Sequence, residues 1–390
     1  MAFLKRRTAA VIAVTLTAAL SAGSASPTDR GALAGTGPPL RADAMSRIDA
    51  ALAPLAAVRL ISGTLLVAES GTTVMSRSYG WSDAANQTPN RLDTRFRIGS
   101  ITKQFTAMAV LLLQEQGRLR ITDPVCDYLI SCPNQWRPIT LHHLLIHTSG
   151  IPDYFRRADL IPHDRQIAPA DLVATITAMP VEFPAGSRFA YSNSGYAILG
   201  QVIERTSHQR YQDLLRTAIL DPLGLHDTGY DDQPVAPAHA IGYQTLAVPA
   251  DIDHASVAYA AGAMYSTVQD LARWTQTLID RRFGSQASVD AMLHAQVSTC
   301  DREGTLCSPT QCDDQPHACY SYGYGLFLQN QRNRSDGSDR VIEHGGGISG
   351  FLAGSRYYPD RQLHLIILTN AEILSPDAVL QRVWDAATID

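Results

Sequence analysis

The sequence predicts an α/β protein of the α+β kind, with an antiparallel β-sheet flanked by helices and built from both ends of the chain. Strand-like patterns occur at residues 61–68 and 73–79 and return at 322–328, 340–343, 351–358 and 363–369. Between them, residues 100 to about 250 carry mainly helical patterns. This order favours a sheet closed by the two chain ends, with an all-helical region inserted.

The composition is that of an ordinary globular protein, since 45% of the 390 residues are hydrophobic and 18% are charged. The predicted organisation has four parts. Residues 1–25 form a signal peptide and residues 26–40 a flexible leader, rich in proline and glycine. Residues 41–99 together with 251–390 form a sheet domain, and residues 100–250 form a mainly helical domain.

The first residues have the three parts of a secretory signal peptide. Lys5, Arg6 and Arg7 precede an uncharged apolar stretch at 8–20, and small residues follow at 21–25. We therefore expect an exported protein, periplasmic or secreted. The apolar stretch is too short for a stable anchor, and no later segment is apolar enough to cross a membrane, so no membrane anchor is expected after cleavage.

The net charge argues against a nucleic-acid partner. Loss of the three basic residues with the signal peptide changes the formal charge from -5 to -8. Binding to a phosphate backbone requires a basic face, which an acidic chain does not readily supply.

The six cysteines agree with export, because an oxidising compartment permits disulfides. Cys126 and Cys132 flank a short loop and are expected to pair. The other four crowd one stretch and allow three pairings: Cys300, Cys307, Cys312 and Cys319. Zinc is the alternative for these four, but C-x-x-C spacing and finger-spaced histidines are lacking, so disulfides are favoured.

A serine and a lysine stand at the start of the most apolar predicted helix. Residues 96–105 lead into the apolar run 106–113, which Gly117 is expected to end. Ser100 lies in the first turn, and Lys103, three residues later, comes back to the same face, about 5–6 Å away at Cβ. The N–H groups of a helix start also attract an anion that forms there. Ser100 is therefore a candidate acyl-transfer nucleophile, although S-x-x-K also arises by chance.

Two further polar segments lie at ends of predicted elements. Tyr191 and Asn193 flank Ser192 just before a predicted helix at 197–206. Residues 344–347 read His-Gly-Gly-Gly and stand between two predicted strands. Adjacent glycines let another backbone or a substrate come very close, although an isolated glycine run more often forms a simple turn.

No metal or organic cofactor is required by the sequence. His143 and His147 stand one helical turn apart and could in principle ligate a metal. The H-E-x-x-H pattern is absent, so a structural role at a helix end is favoured.

The three motifs, in this order, resemble those of the penicillin-recognising serine hydrolases. That family includes class C β-lactamases, D-Ala-D-Ala carboxypeptidases, D-aminopeptidases and β-lactamase-like esterases. Ser100 to Lys103 resembles S-x-x-K, Tyr191 to Asn193 resembles Y-x-N, and His344-Gly345-Gly346 stands where K-T-G or H-x-G is found. The resemblance covers about residues 45–385 and implies a β-lactamase/transpeptidase-like fold. A G-x-S-x-G elbow, the mark of an α/β-hydrolase, is absent from the sequence.

The resemblance implies a catalytic role for each motif. Ser100 is the nucleophile, and Lys103 and Tyr191 share its proton, with Tyr191 returning it to the leaving group. Which of the two is the formal base is left open, because their titrations are coupled. The oxyanion hole is expected at the backbone N–H groups of Ser100 and Gly347.

The same resemblance assigns the substrate-binding and oxyanion residues, which are Asn193, His344, Gly345, Gly346 and Gly347. Asn193 is expected to orient Lys103 and the substrate amide. His344 is expected to form a polar or positive wall opposite the serine.

The departures from the family pattern bear on the substrate. His344 and Gly345 stand where β-lactamases usually carry lysine and threonine. The missing threonine hydroxyl would hold the carboxylate of a β-lactam or of a C-terminal D-alanine. We therefore expect an exported serine hydrolase that cleaves a small ester, amide or D-amino-acid peptide through an acyl-enzyme on Ser100. The oligomeric state is left open.

Two alternatives are kept. The first is a true β-lactamase or D-Ala-D-Ala carboxypeptidase. The second is a catalytically silent protein that binds cell-wall fragments or serves as a scaffold. The intact set of Ser100, Lys103 and Tyr191 argues against silence, because a non-catalytic protein does not need all three.

Overall fold

The computed structural model describes residues 38–232, 239–245, 248–251, 253–301, 303–307, 320–330 and 340–388. Helices in these ranges are α1 (Ala44–Ala57), α2 (Thr102–Glu115), α3 (Leu141–Leu145), α4 (Pro169–Thr177), α5 (Asn193–Ser207), α6 (Tyr211–Leu215), α7 (Asp221–Leu223), α8 (Ala255–Gly262), α9 (Val268–Ile279), α10 (Gln286–Leu293) and α11 (Pro376–Thr388). Strands are β1 (Gly63–Glu69), β2 (Thr72–Tyr79), β3 (Trp81–Asp83), β4 (Thr88–Pro89), β5 (Phe96–Arg97), β6 (Gly229–Tyr230), β7 (Tyr243–Thr245), β8 (Val248–Pro249), β9 (Met264–Ser266), β10 (Val297–Thr299), β11 (Tyr320–Tyr322), β12 (Phe327–Asn330), β13 (Arg340–Ile348), β14 (Phe351–Tyr358) and β15 (Leu363–Thr369).

The main sheet is antiparallel and joins the two ends of the chain. Within the described ranges it has eight strands in the order β10-β11-β12-β13-β14-β15-β1-β2. The closing pair is β1 with β15, in which Leu65 lies opposite Ile367. The predicted fold class, an antiparallel sheet built from both chain ends with helices inserted between them, is confirmed.

The two faces of the sheet are covered by different helices, because side chains alternate along a strand. Leu65 and Val67 of β1 belong to the core formed with α1 and α11. Leu66 and Ala68, the alternate residues, belong to the larger core that contains the helical region. The sheet is thus the middle layer between the terminal helices and the helices that carry the predicted site.

Helix α2 lies in the centre of that larger core. Every residue from Thr102 to Leu111 is buried, as the uniformly apolar pattern predicted. The helix ends at Glu115, and Gly117 follows with φ +67°, a conformation that glycine adopts without strain. Helix α2 packs on both α5 and α8.

Two strand predictions were wrong in detail. The single strand expected at 322–328 is two strands, β11 and β12, because the chain turns at Gly323 and Gly325, whose φ is +76°. The strand expected at 340–343 instead continues to Ile348. The glycine run is therefore not a turn but part of β13, where Gly345 pairs with Gly354 and Gly347 with Leu352 of β14.

Some sequence predictions fall wholly or partly outside the described residues. The signal peptide, and all of the leader except residues 38–40, lie outside the described residues. Among the residues that are described, no helix is both long and apolar enough to cross a membrane. The division into two domains stays a prediction, and α8, which lies beyond residue 250, packs on the helices α2 and α5.

Candidate active site

Ser100 lies in a single 3-10 turn between β5 and α2, against the glycine strand β13. A Cβ on Gly346 would lie 1.9 Å from the carbonyl oxygen of Ile98, and one on Gly99 would lie 2.7 Å from the nitrogen of Gly347. Gly99 also has φ +50°. Glycine at these positions therefore lets two backbones meet beside the serine.

Lys103 lies one turn further along and is completely buried. Its Nζ is 3.0 Å from Oγ of Ser100, 2.8 Å from Oδ1 of Asn193 and 2.8 Å from the carbonyl oxygen of Ala261. The two predicted motifs S-x-x-K and Y-x-N thus meet at this amine. The third contact comes from the end of α8 and is a backbone oxygen, for which the side chains of the sequence give no signal.

Burial sets the protonation of this amine. It lowers the pKa of Lys103 from its ordinary value of 10.5 to about 7, and the carboxylate of Asp153 opposes the shift. Near pH 7 about half of these amines are therefore neutral, against roughly one in two thousand for an exposed lysine.

Asp153 fixes the orientation of Asn193 and was missed in the sequence. Nδ2 of Asn193 donates to both carboxylate oxygens of Asp153, at 3.1 and 3.3 Å, and its backbone N–H donates to Oδ1 at 3.1 Å. The amide oxygen is thereby left to face Lys103. Asp153 also caps the short 3-10 helix that begins at Tyr154. Its position directly after a Gly-Ile-Pro turn was the one available signal.

Tyr191 is buried beside Lys103, whose Nζ lies 4.8 Å from the centre of its ring. Burial raises the pKa of Tyr191 well above its ordinary value, and the neighbouring Ser100 hydroxyl opposes this. No hydrogen bond of normal geometry reaches the Tyr191 hydroxyl from any residue that the structure describes. The phenol is therefore protonated at neutral pH.

His344 lies behind Tyr191 on β13, with the ring centres 6.3 Å apart. Its Nδ1 is 2.6 Å from the carbonyl oxygen of Gly345, and its Nε2 is 3.3 Å from the hydroxyl of Tyr322. Burial, with Lys103 nearby, lowers the pKa of His344 to about 3. The sequence left open whether His344 is a polar or a positive group. The lowered pKa and the buried surroundings favour a neutral, polar imidazole.

A small cleft opens over the serine. Its walls are formed by Ser100, Phe155, Asn193, Ala258, Ala261, Gly262, Gly347 and Ile348. Ser100, Asn193 and Gly347 supply polar groups, while Phe155 and Ile348 supply apolar ones. None of these wall residues carries a positive charge.

The other predicted histidines make structural contacts. The Nδ1 of His143 accepts from the backbone N–H of Thr140 in a capping box at the start of α3. His147 lies beyond the end of α3, is buried 4.3 Å from the ring of Tyr191, and accepts from the backbone N–H of Ser192. It therefore supports the segment that carries Tyr191.

A hairpin, described at residues 299–301 and 303–307, contacts the same segment. The carbonyl oxygen of Gly304 accepts from the N–H of Phe189, two residues before Tyr191, at 2.9 Å. A Cβ on Gly304 would lie 1.9 Å from the carbonyl oxygen of Phe189. Cys300 and Cys307 stand at the base of this hairpin, next to the paired residues Thr299 and Leu306.

The structure describes two of the other four cysteines. The sulfur atoms of Cys126 and Cys132 are 2.03 Å apart, which is disulfide bonding distance. Cys312 and Cys319 lie outside the described residues.

Comparison with known proteins identifies relatives of this chain. A penicillin-binding protein of Bacillus subtilis (strain 168) is 29% identical over 330 residues, which cover 80% of this chain and 68% of that protein. The teichoic acid D-alanine hydrolase of Staphylococcus aureus is 27% identical over 71% of this chain and 65% of its own length. Part of each relative thus lies outside the match.

The structure is also similar to that of the D-amino acid amidase from Ochrobactrum anthropi SV3, with a TM-score of 0.72 and 25% identity. This similarity covers 88% of this chain and 98% of the amidase. The expected β-lactamase/transpeptidase-like fold is therefore confirmed. The sequence matches the Beta-lactamase family over residues 48–388, so the chain belongs to that family and is a serine hydrolase of its superfamily.

Proposed function

We propose that this protein hydrolyses small D-aminoacyl esters or amides through an acyl-enzyme on Ser100. The observation that carries the proposal is the contact of 3.0 Å between Ser100 and an amine, Lys103, whose pKa is lowered to about 7. A serine hydroxyl is a poor nucleophile at neutral pH and needs a base within hydrogen-bond reach.

Lys103 is proposed as the base, because its neighbours orient the neutral amine. A neutral amine has two N–H bonds and one lone pair. The oxygens of Asn193 and Ala261 can only accept, so they take the two N–H bonds. The lone pair is then directed to Ser100 and can accept the proton of its hydroxyl.

Acylation follows from this arrangement. As Oγ of Ser100 bonds to the substrate carbonyl carbon, its proton passes to Lys103, and the N–H groups of Ser100 and Gly347 stabilise the negative oxygen. Removal of one such donor typically raises the barrier by about 2.7–4 kcal/mol. Tyr191, which burial keeps protonated, donates to the leaving group as the C–O or C–N bond breaks, and recovers a proton from Lys103.

Deacylation reverses these roles. Water attacks the acyl carbon, one of its protons passes to the Lys103–Tyr191 pair, and Ser100 leaves with a proton restored to its oxygen. Asn193 is proposed to orient Lys103 and the substrate amide. His344, Gly345 and Gly346 are proposed to form the wall behind Tyr191 and the strand that supports Gly347.

The charges near the cleft favour an aminoacyl group over a carboxylate. A β-lactam or a C-terminal D-alanine brings a carboxylate, which requires a cationic or hydroxyl donor. The described wall residues offer no cation, and glycine stands at position 345 where the family pattern has threonine. Asp153, whose carboxylate lies directly behind Asn193 and is 3.7 Å from the exposed Arg156, adds no donor that could hold a substrate carboxylate. The names of two relatives, a teichoic acid D-alanine hydrolase and a D-amino acid amidase, support the same choice.

Labelling of the nucleophile tests the chemistry. A fluorophosphonate probe is expected to label the wild type and not Ser100→Ala. Ser192→Ala is the matched control, because the buried Ser192 hydroxyl has no hydrogen-bond partner among the described residues. Labelling of Ser100→Ala, or absence of labelling in the wild type, would contradict the proposed nucleophile and favour the silent binding protein.

A substrate panel tests the specificity. We expect hydrolysis of D-alanyl p-nitroanilide to exceed that of the L-enantiomer, with p-nitrophenyl butyrate as a general ester control. A chromogenic cephalosporin is expected to be a poor substrate. A cephalosporin turned over faster than the D-alanyl amide would instead support a true β-lactamase.

Export and disulfides belong to the same proposal. The predicted signal peptide at 1–25 and the bonding distance between Cys126 and Cys132 both fit an oxidising compartment. We propose that Cys300 and Cys307 also pair and hold the hairpin that contacts Phe189. Mass analysis of the secreted, unreduced protein is expected to show cleavage near Ala25 and both disulfides. A retained signal peptide, or alkylation of any of these four cysteines, would contradict the proposal.

A further inference from the structure

A second polar cluster lies beside the cleft and outside the proposed catalytic residues. The carboxylate of Asp253 accepts from the Ser349 hydroxyl at 2.7 Å and from the Ser349 N–H at 3.4 Å. Its other oxygen lies 3.2 Å from Nδ1 of His163. The Asp253 side chain is only 12% exposed, so one largely buried carboxylate holds groups from two separate loops.

Each partner of Asp253 adjoins one apolar wall of the cleft. Ser349 directly follows Ile348, which lines the cleft. The His163 ring packs 4.5 Å from the ring of Phe155, the other large apolar wall residue. The His163–Asp253–Ser349 cluster therefore connects Phe155 to Ile348 by a chain of direct contacts.

The cluster is also fixed to the strand that leads to the nucleophile. The backbone oxygen of Asp253 accepts from Nη1 of Arg97 at 2.9 Å, and Arg97 forms an ion pair of 2.5 Å with Asp231. Arg97 ends β5, three residues before Ser100. On the outer side, Nε2 of His163 is buried without a hydrogen-bond partner among the described residues, so the imidazole is held through Nδ1. Asp253 is thus the common attachment point of both walls.

We propose that Asp253 is a positioning residue that sets the separation of Phe155 and Ile348 and thereby selects the size of the acyl group that Ser100 accepts. This proposal rests on the proposed function, since it concerns the same cleft. Loss of the carboxylate releases both walls at once, because Ser349 and His163 lose their shared acceptor. The proton transfers at Lys103 and Tyr191 involve neither wall.

The test uses p-nitrophenyl esters of increasing acyl length, from acetate to octanoate, so that only the acyl side changes. In Asp253→Ala we expect the ratio of kcat/KM between octanoate and acetate to change by about tenfold or more, the effect of roughly one or two methylene groups in a fitted pocket. The change should lie mainly in KM. Asp253→Asn, whose amide oxygen can still accept from Ser349, should restore most of the wild-type profile. Asp251→Ala, at an exposed carboxylate two residues away, is the matched control and should keep that profile.

Two variants keep the test decisive if Asp253→Ala does not fold. Ser349→Ala and His163→Ala each remove one of the two contacts of the Asp253 carboxylate. Each is expected to shift the octanoate-to-acetate ratio of kcat/KM in the same direction as Asp253→Ala does. The proposal is overturned if folded variants keep the wild-type acyl-length profile. It is also overturned if kcat/KM falls by the same factor at all acyl lengths. Fluorophosphonate labelling of the wild type distinguishes a failure of the role of Asp253 from a failure of the proposed function. A labelled wild type with unshifted variants refutes the role of Asp253 alone, whereas an unlabelled wild type refutes the proposed function.

Discussion

The lowered pKa of Lys103 can be measured directly, because the sequence contains only one other lysine, Lys5, within the predicted signal peptide. The mature chain grown with lysine labelled at Cε should therefore give a single lysine signal by NMR. Its chemical shift is expected to titrate with a midpoint near pH 7, as the pKa of about 7 requires. The ordinary midpoint is about 10.4.

The size of the shift follows from burial. A change from 10.5 to about 7 means that the fold disfavours the charged amine by about 5 kcal/mol, at 1.36 kcal/mol per pKa unit. The folded-state pKa lies below the unfolded-state value, so between pH 7 and 10.5 the unfolded chain binds a proton that the folded chain does not. The free energy of unfolding should therefore rise with pH across this window.

Lys103→Met isolates this contribution, since methionine has a similar length and does not titrate. Between pH 6 and 9 the wild type should gain about 2.6 kcal/mol of unfolding free energy relative to the variant, from integrating the proton-binding difference. Urea unfolding of both proteins at pH 6, 7.5 and 9 measures this difference. The variant should be inactive throughout. A labelled lysine that titrates above pH 9, or stability curves that run parallel with pH, would refute burial as the source of the base.

Three more outcomes are expected. Gly346→Ala should displace β13 from the serine turn and abolish activity, because its Cβ would lie 1.9 Å from the carbonyl oxygen of Ile98. Gly345→Ala, with its nearest contact at 3.6 Å, should be tolerated, and equal effects of both would contradict this packing. Tyr191→Phe should lower kcat by about 10²–10⁴-fold, the usual range for a lost general acid, and an unchanged kcat would exclude that role. In the wild type, kcat/KM should rise with pH through about 7 as Lys103 loses its proton, and a profile flat from pH 5 to 9 would contradict Lys103 as the base.

The features that depend on chain-local spacing could be predicted from the sequence. The S-x-x-K spacing brings Ser100 and Lys103 together through one helical turn, and the alternating strand patterns of both chain ends meet in the sheet as expected. The order of three motifs, rather than any one of them, indicated that distant segments share one site.

The features that depend on tertiary packing could not be predicted from the sequence. Ala261 contributes a backbone oxygen, so its side chain is uninformative. Asp153 acts through Asn193, and its partner is 40 residues away in the sequence. The glycine run was placed between two predicted strands, but it pairs with β14 and makes close contact with the serine turn, neither of which the local sequence indicates.

The orientation of one amide keeps the lone pair of the neutral Lys103 amine directed at Ser100. If the Asn193 side chain were reversed, its NH₂ group would face Lys103, and the amine would have to turn its lone pair toward that donor instead of toward Ser100. The carboxylate of Asp153 prevents this reversal, because it accepts from Nδ2 and from the backbone N–H of Asn193 together. Asp153 therefore has two opposing effects on Lys103: its charge raises the pKa of the lysine, while its hydrogen bonds hold the geometry in which the neutral form is useful. Burial exceeds the first effect, which leaves the second as the main contribution of this carboxylate to the site.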